Sequence, residues 1–455
     1  MAGVSLPLRR LLGSRSYLGQ FVAYLYAGLA MTGPWLLTAL ALVVLNAFDF
    51  AGAPQPEREV FQAVALYGYF GSMVLTGILQ LGVARYLSDE VFLGRIEGIR
   101  PTYAAAGLTS LALHAAVAAG FVAVTRPSLP LALAEIAFFG SLGLVWMGML
   151  FLGLVRNFIY IVASFAAGLG VGGVIAVRLA PSLGAAGLTW AFAAAHALVA
   201  ALLAARIRTE FPSERPPDYG FVRMLGRFPE LAVLGVVWAG ATWADKVVFW
   251  AGPYAWPAAP GLWTFPLYDN SVYLAYLTTV PALVLLFIRL EVAFYERFRA
   301  FDDALRNGAP LAKVREARHS LQEAFQETLT RVVVVQGPLT ISIIVLAPQI
   351  LGALGIDWIQ YYLFRVACAG AFLHVVALAV LLTLLHLGFY VRALLMAVVF
   401  LAATATATFW AMTQGMSLFP FGYPIGAACG LAAGYVLLVR ALPRLEFRLL
   451  TAQRF

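Results

Sequence analysis

Runs of about 20 apolar residues recur along the chain, each the length a helix rising 1.5 Å per residue needs to cross a hydrocarbon core of about 30 Å. They fall near 20–48, 60–85, 103–125, 129–155, 158–180 and 184–206, then 229–251, 271–293, 328–352, 360–387, 391–413 and 421–442. The pattern predicts an all-α integral membrane protein of twelve transmembrane helices. Two longer connections interrupt it. Residues 207–227 carry three prolines and alternating charge, which predicts an irregular linker that divides the spans six and six. We therefore place an N-terminal six-helix lobe at 1–218 and a C-terminal six-helix lobe at 219–455. Six is even, so both halves start on the same side and any duplication between them is a parallel repeat.

The second connection, 294–329, is helical in pattern. Phe294, Phe298, Phe301 and Leu305 share one face, Leu311, Val314, Leu321 and Phe325 share another, and Asn307-Gly308-Ala309-Pro310 separates them. This predicts a cytoplasmic helical hairpin whose apolar stripe either packs against the inner helix ends or receives a partner. Asp302-Asp303 on its charged side reads as a solvated face, and no metal site is expected.

Polar residues inside the spans are the candidate chemistry. In the second span Gln62, Tyr69, Ser72, Thr76 and Gln80 draw one stripe down an apolar helix, which either lines something wet or joins helices. In the first, Tyr24, Gly28 and Thr32 share a face and Gly33-Pro34 predicts a kink. Asp245 and Lys246 lie inside the seventh span, where each charge costs roughly 2.5–3.5 kcal/mol at the helix centre. Adjacent helical positions point about 100° apart, so these two are expected to reach different neighbouring helices, in a packing salt bridge or along a polar path. Glu135 and Arg365 sit at a similar depth, and Glu135 with Lys246 and Asp245 with Arg365 is one possible pairing. His114, His196, His374 and His386 also fall in spans, where a bond to a backbone carbonyl is the simpler expectation than a proton relay.

Composition narrows the classes. The chain is 62% hydrophobic and 11% charged, against about 25% charged in soluble domains. Its net charge of +8 marks topology before it marks nucleic-acid binding. With the N-terminus inside, Lys and Arg gather on the inner side, leaving three outside (Arg58, Arg126, Arg178) and two within spans (Lys246, Arg365). Both termini are then cytoplasmic. The first 17 residues lead into a span without a small-residue cleavage pattern, so no removable signal peptide is expected. Cys368 and Cys429 fall in apolar runs and read as small buried hydrophobes. No nucleophile–base pair, acidic metal motif or phosphate-binding glycine loop stands at useful spacing, so neither an enzyme nor a cofactor is expected.

Several stretches together resemble the PelG family, polytopic subunits of bacterial Pel exopolysaccharide export. They are Leu8-Arg9-Arg10-Leu11-Leu12, Ser16-Tyr17, Tyr24-Leu25-Tyr26-Ala27-Gly28-Leu29, Gly33-Pro34-Trp35, Asp245-Lys246-Val247-Val248-Phe249-Trp250, Pro266-Leu267-Tyr268-Asp269 and Ala275-Tyr276-Leu277-Thr278 with the segment from Pro281 to Glu296. The resemblance implies two six-helix lobes around a central cavity. It also implies export of a galactosamine and N-acetylgalactosamine polymer across the bacterial inner membrane. The implied partners are a cytosolic glycosyltransferase and further membrane subunits, among them a cyclic-dinucleotide receptor. For such a substrate the candidate path residues are Tyr24, Tyr69, Ser72, Thr76, Gln80, Glu135, Asp245, Lys246, Asp269 and Arg365. The outer loops would add acids at Asp49, Glu57, Glu59, Asp269 and Asp357. The competing reading is an ion-coupled antiporter, or a lipid-linked oligosaccharide flippase, of the same fold, with Asp245 or Glu135 exchanging a proton or sodium ion.

Overall fold

A computed structural model describes residues 28, 32–45, 51–154, 157–290 and 295–444. The chain is a multi-pass membrane protein. Among the described residues nine helices are long and apolar enough to cross a membrane, or ten if one bent pair is a single span. In chain order the helices are α1 Thr32–Leu45, α2 Gln55–Phe92, α3 Ile99–Thr125, α4 Leu129–Leu154, α5 Phe158–Glu210, α6 Gly220–Arg227 and α7 Pro229–Trp250. A short hairpin follows, β1 Trp256–Ala259 and β2 Leu262–Thr264. Then come α8 Pro266–Leu277, α9 Val280–Ile288, α10 Tyr295–Arg306, α11 Leu311–Ala353, α12 Ile359–His386, α13 Tyr390–Gln414 and α14 Gly422–Ala441.

Two of these helices contain breaks with local causes. Within α5, Gly184 has φ 54° and ψ −128°, a conformation that needs glycine, so the expected fifth and sixth spans meet at one residue. Glu57 completes the corner. Its Oε2 accepts from the Ala185 backbone N–H at 2.8 Å and caps the helix that follows. Between α8 and α9 the axis turns by 41° at Thr278 and Thr279. Pro281 stands in the first turn of α9, and both threonine hydroxyls fold back on the carbonyls of Ala275 and Tyr276 at 2.7 Å. The expected uninterrupted span at 271–293 is therefore bent.

The chain forms two compact units, one of residues 32–243 and 253–265, the other of residues 1–31, 244–252 and 266–455. Their boundary falls inside α7, whereas the proline-rich linker pointed to residue 218. That linker is also shorter than expected. α5 runs on to Glu210 and α6 forms from Gly220, leaving only 211–219 irregular. Buried Phe211 and Phe221 hold it to a core of Leu79, Val83, Phe151 and Leu203. In this first unit α2 and α7 cross where Gly77 meets Gly235, and a methyl on either would fall on the other's backbone. The β hairpin docks on the same unit. The Tyr67 hydroxyl donates to the Trp263 carbonyl at 2.8 Å and accepts from its N–H at 3.2 Å. The apolar pattern does not announce these strands, because three- and four-residue strands carry too little alternation to register.

In the other unit α14 presents Gly422, Gly426, Gly430 and Gly434 to α13, against Thr408, Thr404, Phe400 and Met396 in that order. A glycine every fourth residue lets backbones approach closely where lipid supplies no hydrophobic drive for helices to associate. The expected helical hairpin is present as α10 with the first half of α11, and the second arm continues without a break into the next span. Its apolar stripes are covered in part. Phe301, Val314, Leu321 and Phe325 are buried as the two arms pack together, Phe298 and Leu305 are half-buried, and Leu311 is exposed.

Candidate functional site

The unit of residues 244–252 and 266–455 encloses a charged and aromatic cluster at the end of α7. Asp245 is 0% exposed and Lys246 is 4% exposed. Lys246 Nζ lies 3.3 and 3.4 Å from the two Asp245 oxygens. These are long for a charge-assisted bond, which runs nearer 2.7–2.9 Å. The pair thus touches within α7, while Asp245 keeps a closer partner on a neighbouring helix, as expected. The four-carbon lysine stem curls back far enough to pair, though the 100° between the two positions holds the contact at arm's length. The tighter bond comes from α8, where the Tyr268 hydroxyl donates to Asp245 Oδ2 at 2.7 Å.

Around this ion pair the aromatic rings close in. Lys246 Nζ faces the Tyr276 ring at 5.5 Å. Tyr276 and Tyr423 have ring centroids 5.6 Å apart, and the Tyr423 hydroxyl is bonded to His374 Nδ1 at 2.9 Å. Asp269 is no outer-loop acid. It is buried on α8 and accepts from Trp250 Nε1 at 3.0 Å. Residues from α7, α8, α12 and α14 thus meet in one dry polar cluster. A buried pair of this kind holds its charges by mutual attraction and hydrogen bonds, and loss of one partner costs about 3–5 kcal/mol.

The suggested pairing of Asp245 with Arg365 is not formed. Arg365, on α12, donates through Nε to the Ile344 carbonyl at 3.0 Å. That carbonyl lacks its helical donor because the residue four positions on is Pro348, which has no N–H. Arg365 therefore repairs a proline defect in α11. Glu135 lies in the other unit, is 7% exposed, and its Oε2 has no hydrogen-bond partner among the described residues. Gln336 is the polar residue that sequence reasoning missed. Fully buried on α11, it donates to the Thr278 carbonyl at 2.9 Å, at the bend between α8 and α9. Its sequence signal is an amide in an apolar run, which Gln349 shares.

The polar stripe of α2 joins helices. Ser72 and Thr76 are buried, and Trp146 Nε1 of α4 donates to Ser72 Oγ at 3.0 Å. His114 Nδ1–H donates to the Ser110 carbonyl at 2.7 Å, which leaves Nε2 to accept from Thr76 at 3.5 Å. His196 likewise gives its Nδ1–H to the Phe192 carbonyl at 2.8 Å and accepts the Tyr69 hydroxyl at 2.9 Å. His386 bonds the Leu382 carbonyl at 2.7 Å. Three of the four span histidines thus follow the backbone-carbonyl expectation, while His374 is held by Tyr423. Gln62 and Gln80, at the two ends of the stripe, are exposed and take no part in this network. Tyr24 lies outside the described residues.

Comparison with known proteins agrees with this architecture. The model of the PelG family, described as "Putative exopolysaccharide Exporter (EPS-E)", matches residues 1–449. Among solved structures the chain is similar to a MATE protein in a bent conformation, at 12% identity and TM-score 0.68 over 93% of this chain and 96% of that one. It is similar to an inward-facing multidrug resistance MATE family transporter of the MOP superfamily, at 12% identity and TM-score 0.60 over 92% and 99%. A MOP superfamily transporter from Pyrococcus furiosus Vc1 (DSM3638) aligns at 12% identity and TM-score 0.65 over 93% and 96%. At such identities the likeness carries the fold alone. Among curated proteins none matches the chain.

Proposed function

The chain belongs to the PelG family of exopolysaccharide exporters, and we propose that it carries a galactosamine and N-acetylgalactosamine polymer across the bacterial inner membrane as the polymer is made. The observation that carries this reading is the family match over residues 1–449, on a fold shared with transporters rather than enzymes. Twelve passes are supported by the nine long helices, the Gly184 corner inside one of them, the bent pair α8 and α9, and the short apolar helix α1. The inner-side excess of Lys and Arg supports cytoplasmic termini. A cytosolic glycosyltransferase and further membrane subunits are the partners this role calls for, because an exporter of a growing polymer needs that polymer delivered to it.

The cation-exchange reading is left with one specific residue. Asp245 already has an ammonium beside it, whereas Glu135 has an oxygen without a hydrogen-bond partner among the described residues. The deciding experiment deletes this chain while keeping the glycosyltransferase, and measures hexosamine polymer in the medium with and without complementation. Export should vanish and return with the gene. Secretion that continues in its absence rejects the proposal. Restoration by Glu135→Gln at full rate, unaffected by dissipating the ion gradients, sets cation exchange aside.

A further inference from the structure

A groove of about 610 Å³ runs between α1 and the first half of α5. It lies entirely within the unit of residues 32–243. Its walls are apolar, from Leu37, Leu40 and Val44 on one helix and Leu169, Val174, Val177 and Phe192 on the other, and among the described residues Arg178 is the one charged residue lining it. Arg178 is exposed and makes no hydrogen bond or ion pair among the described residues. From Ala166 to Arg178 the α5 side of the groove extends about 18 Å at 1.5 Å per residue, close to the roughly 15 Å of one leaflet's hydrocarbon. The volume lies in the range of about 300–1,000 Å³ typical of small-ligand sites.

We infer that this groove holds one acyl chain of an anionic phospholipid, with the phosphate seated on the Arg178 guanidinium. An acyl chain gains no hydrophobic free energy by leaving other lipid for leucine and valine, since lipid tails are as apolar as those side chains. The apolar walls therefore supply shape, and selection falls to the headgroup. A guanidinium at the end of an apolar slot one leaflet deep presents its forked donors where phosphates lie, and binds a phosphate through two parallel hydrogen bonds. A zwitterionic headgroup compensates its own phosphate with an ammonium, so a net anionic lipid is preferred. The inference requires only that the chain sits in a bilayer, and stands apart from the identity of the exported polymer.

Gly170 gives a clean way to close the groove. It lines the slot, and a Cβ built on it meets nothing within 4 Å, so a larger side chain enters the groove without displacing backbone. The test takes the purified full-length chain, stripped of lipid in detergent, and titrates it with dioleoyl-phosphatidylglycerol or dioleoyl-phosphatidylcholine while native mass spectrometry counts bound copies. The first phosphatidylglycerol should bind about tenfold or more tighter than phosphatidylcholine, the worth of a charge-assisted hydrogen bond. Arg178→Gln should reduce phosphatidylglycerol to the phosphatidylcholine level, and Gly170→Phe should weaken both lipids, with thermal unfolding unchanged in each variant. Equal binding of the two lipids by the unsubstituted chain overturns the inference. So does retention of phosphatidylglycerol by a folded Arg178→Gln protein, or displacement of the lipid by millimolar inorganic phosphate, which would make Arg178 a simple anion site.

Discussion

Asp245 is held at 2.7 Å by Tyr268 and at 3.3 Å by Lys246, in a place no solvent reaches. Asp245→Asn takes the carboxylate from beside the buried ammonium, and is expected to cost about 3–5 kcal/mol. Tyr268→Phe removes one bond to a charged acceptor and is expected to cost about 1.5–3 kcal/mol. Because the two act on one network, the double substitution should fall well short of the sum. Denaturant unfolding in detergent, read beside the amount of protein in membranes, measures all three. Full additivity would show that the cluster is not one unit. Glu135 predicts the opposite sign. Its Oε2 is buried without a hydrogen-bond partner among the described residues, so Glu135→Gln should leave stability unchanged or raise it. A loss of more than about 1 kcal/mol, the size of one ordinary hydrogen bond, would reveal a partner.

Elements meet here through glycine. Gly426 faces Thr404 across the α13–α14 contact, and Gly77 touches Gly235 across the α2–α7 crossing. A leucine at Gly426 or Gly235 must push two backbones apart, and overpacking of this kind costs typically about 1–3 kcal/mol. Gly120 is the control, since a Cβ there meets nothing within 4 Å, and Gly120→Ala should gain up to about 1 kcal/mol of helix propensity. Thermal melts of the three variants in one detergent give the comparison. Equal melting temperatures would mean the close approaches carry no energy. The helical hairpin belongs to this scale too. With Phe301 and Phe325 buried, Phe301→Asp should lower the amount of folded chain in membranes.

For the molecule as a whole the firmest expectation is topological. If the N-terminus lies inside, an alkaline phosphatase fused at Gly261, in the β hairpin, should be active. The same reporter at Gly308, in the hairpin between α10 and α11, should be inactive. Activity in the reverse pattern would invert the orientation, and activity at both sites would break the even count of spans. Glu57 shows why whole-molecule charge counts mislead. It was counted among the outer acids available to a cationic polymer, yet it caps the helix after Gly184. Asp269 is likewise consumed by Trp250.

What the sequence determined by itself was everything set by solvent preference along one dimension. The long apolar helices, the helical hairpin at 294–329 and the family all follow from runs and motifs readable residue by residue, because a bilayer demands long apolar helices whatever they later touch. Partnerships were beyond it. Nothing in the sequence says that Asp245 takes Tyr268 of α8 as well as its own neighbour Lys246, that Arg365 serves a carbonyl orphaned by Pro348, or that Tyr69, Ser72 and Thr76 turn inward to His196, Trp146 and His114. Helical period fixes which residues share a face but not what faces them. In a membrane, where apolar surface is satisfied everywhere, the choice of neighbour rests on glycine-sized contacts and single hydrogen bonds that only the tertiary structure places.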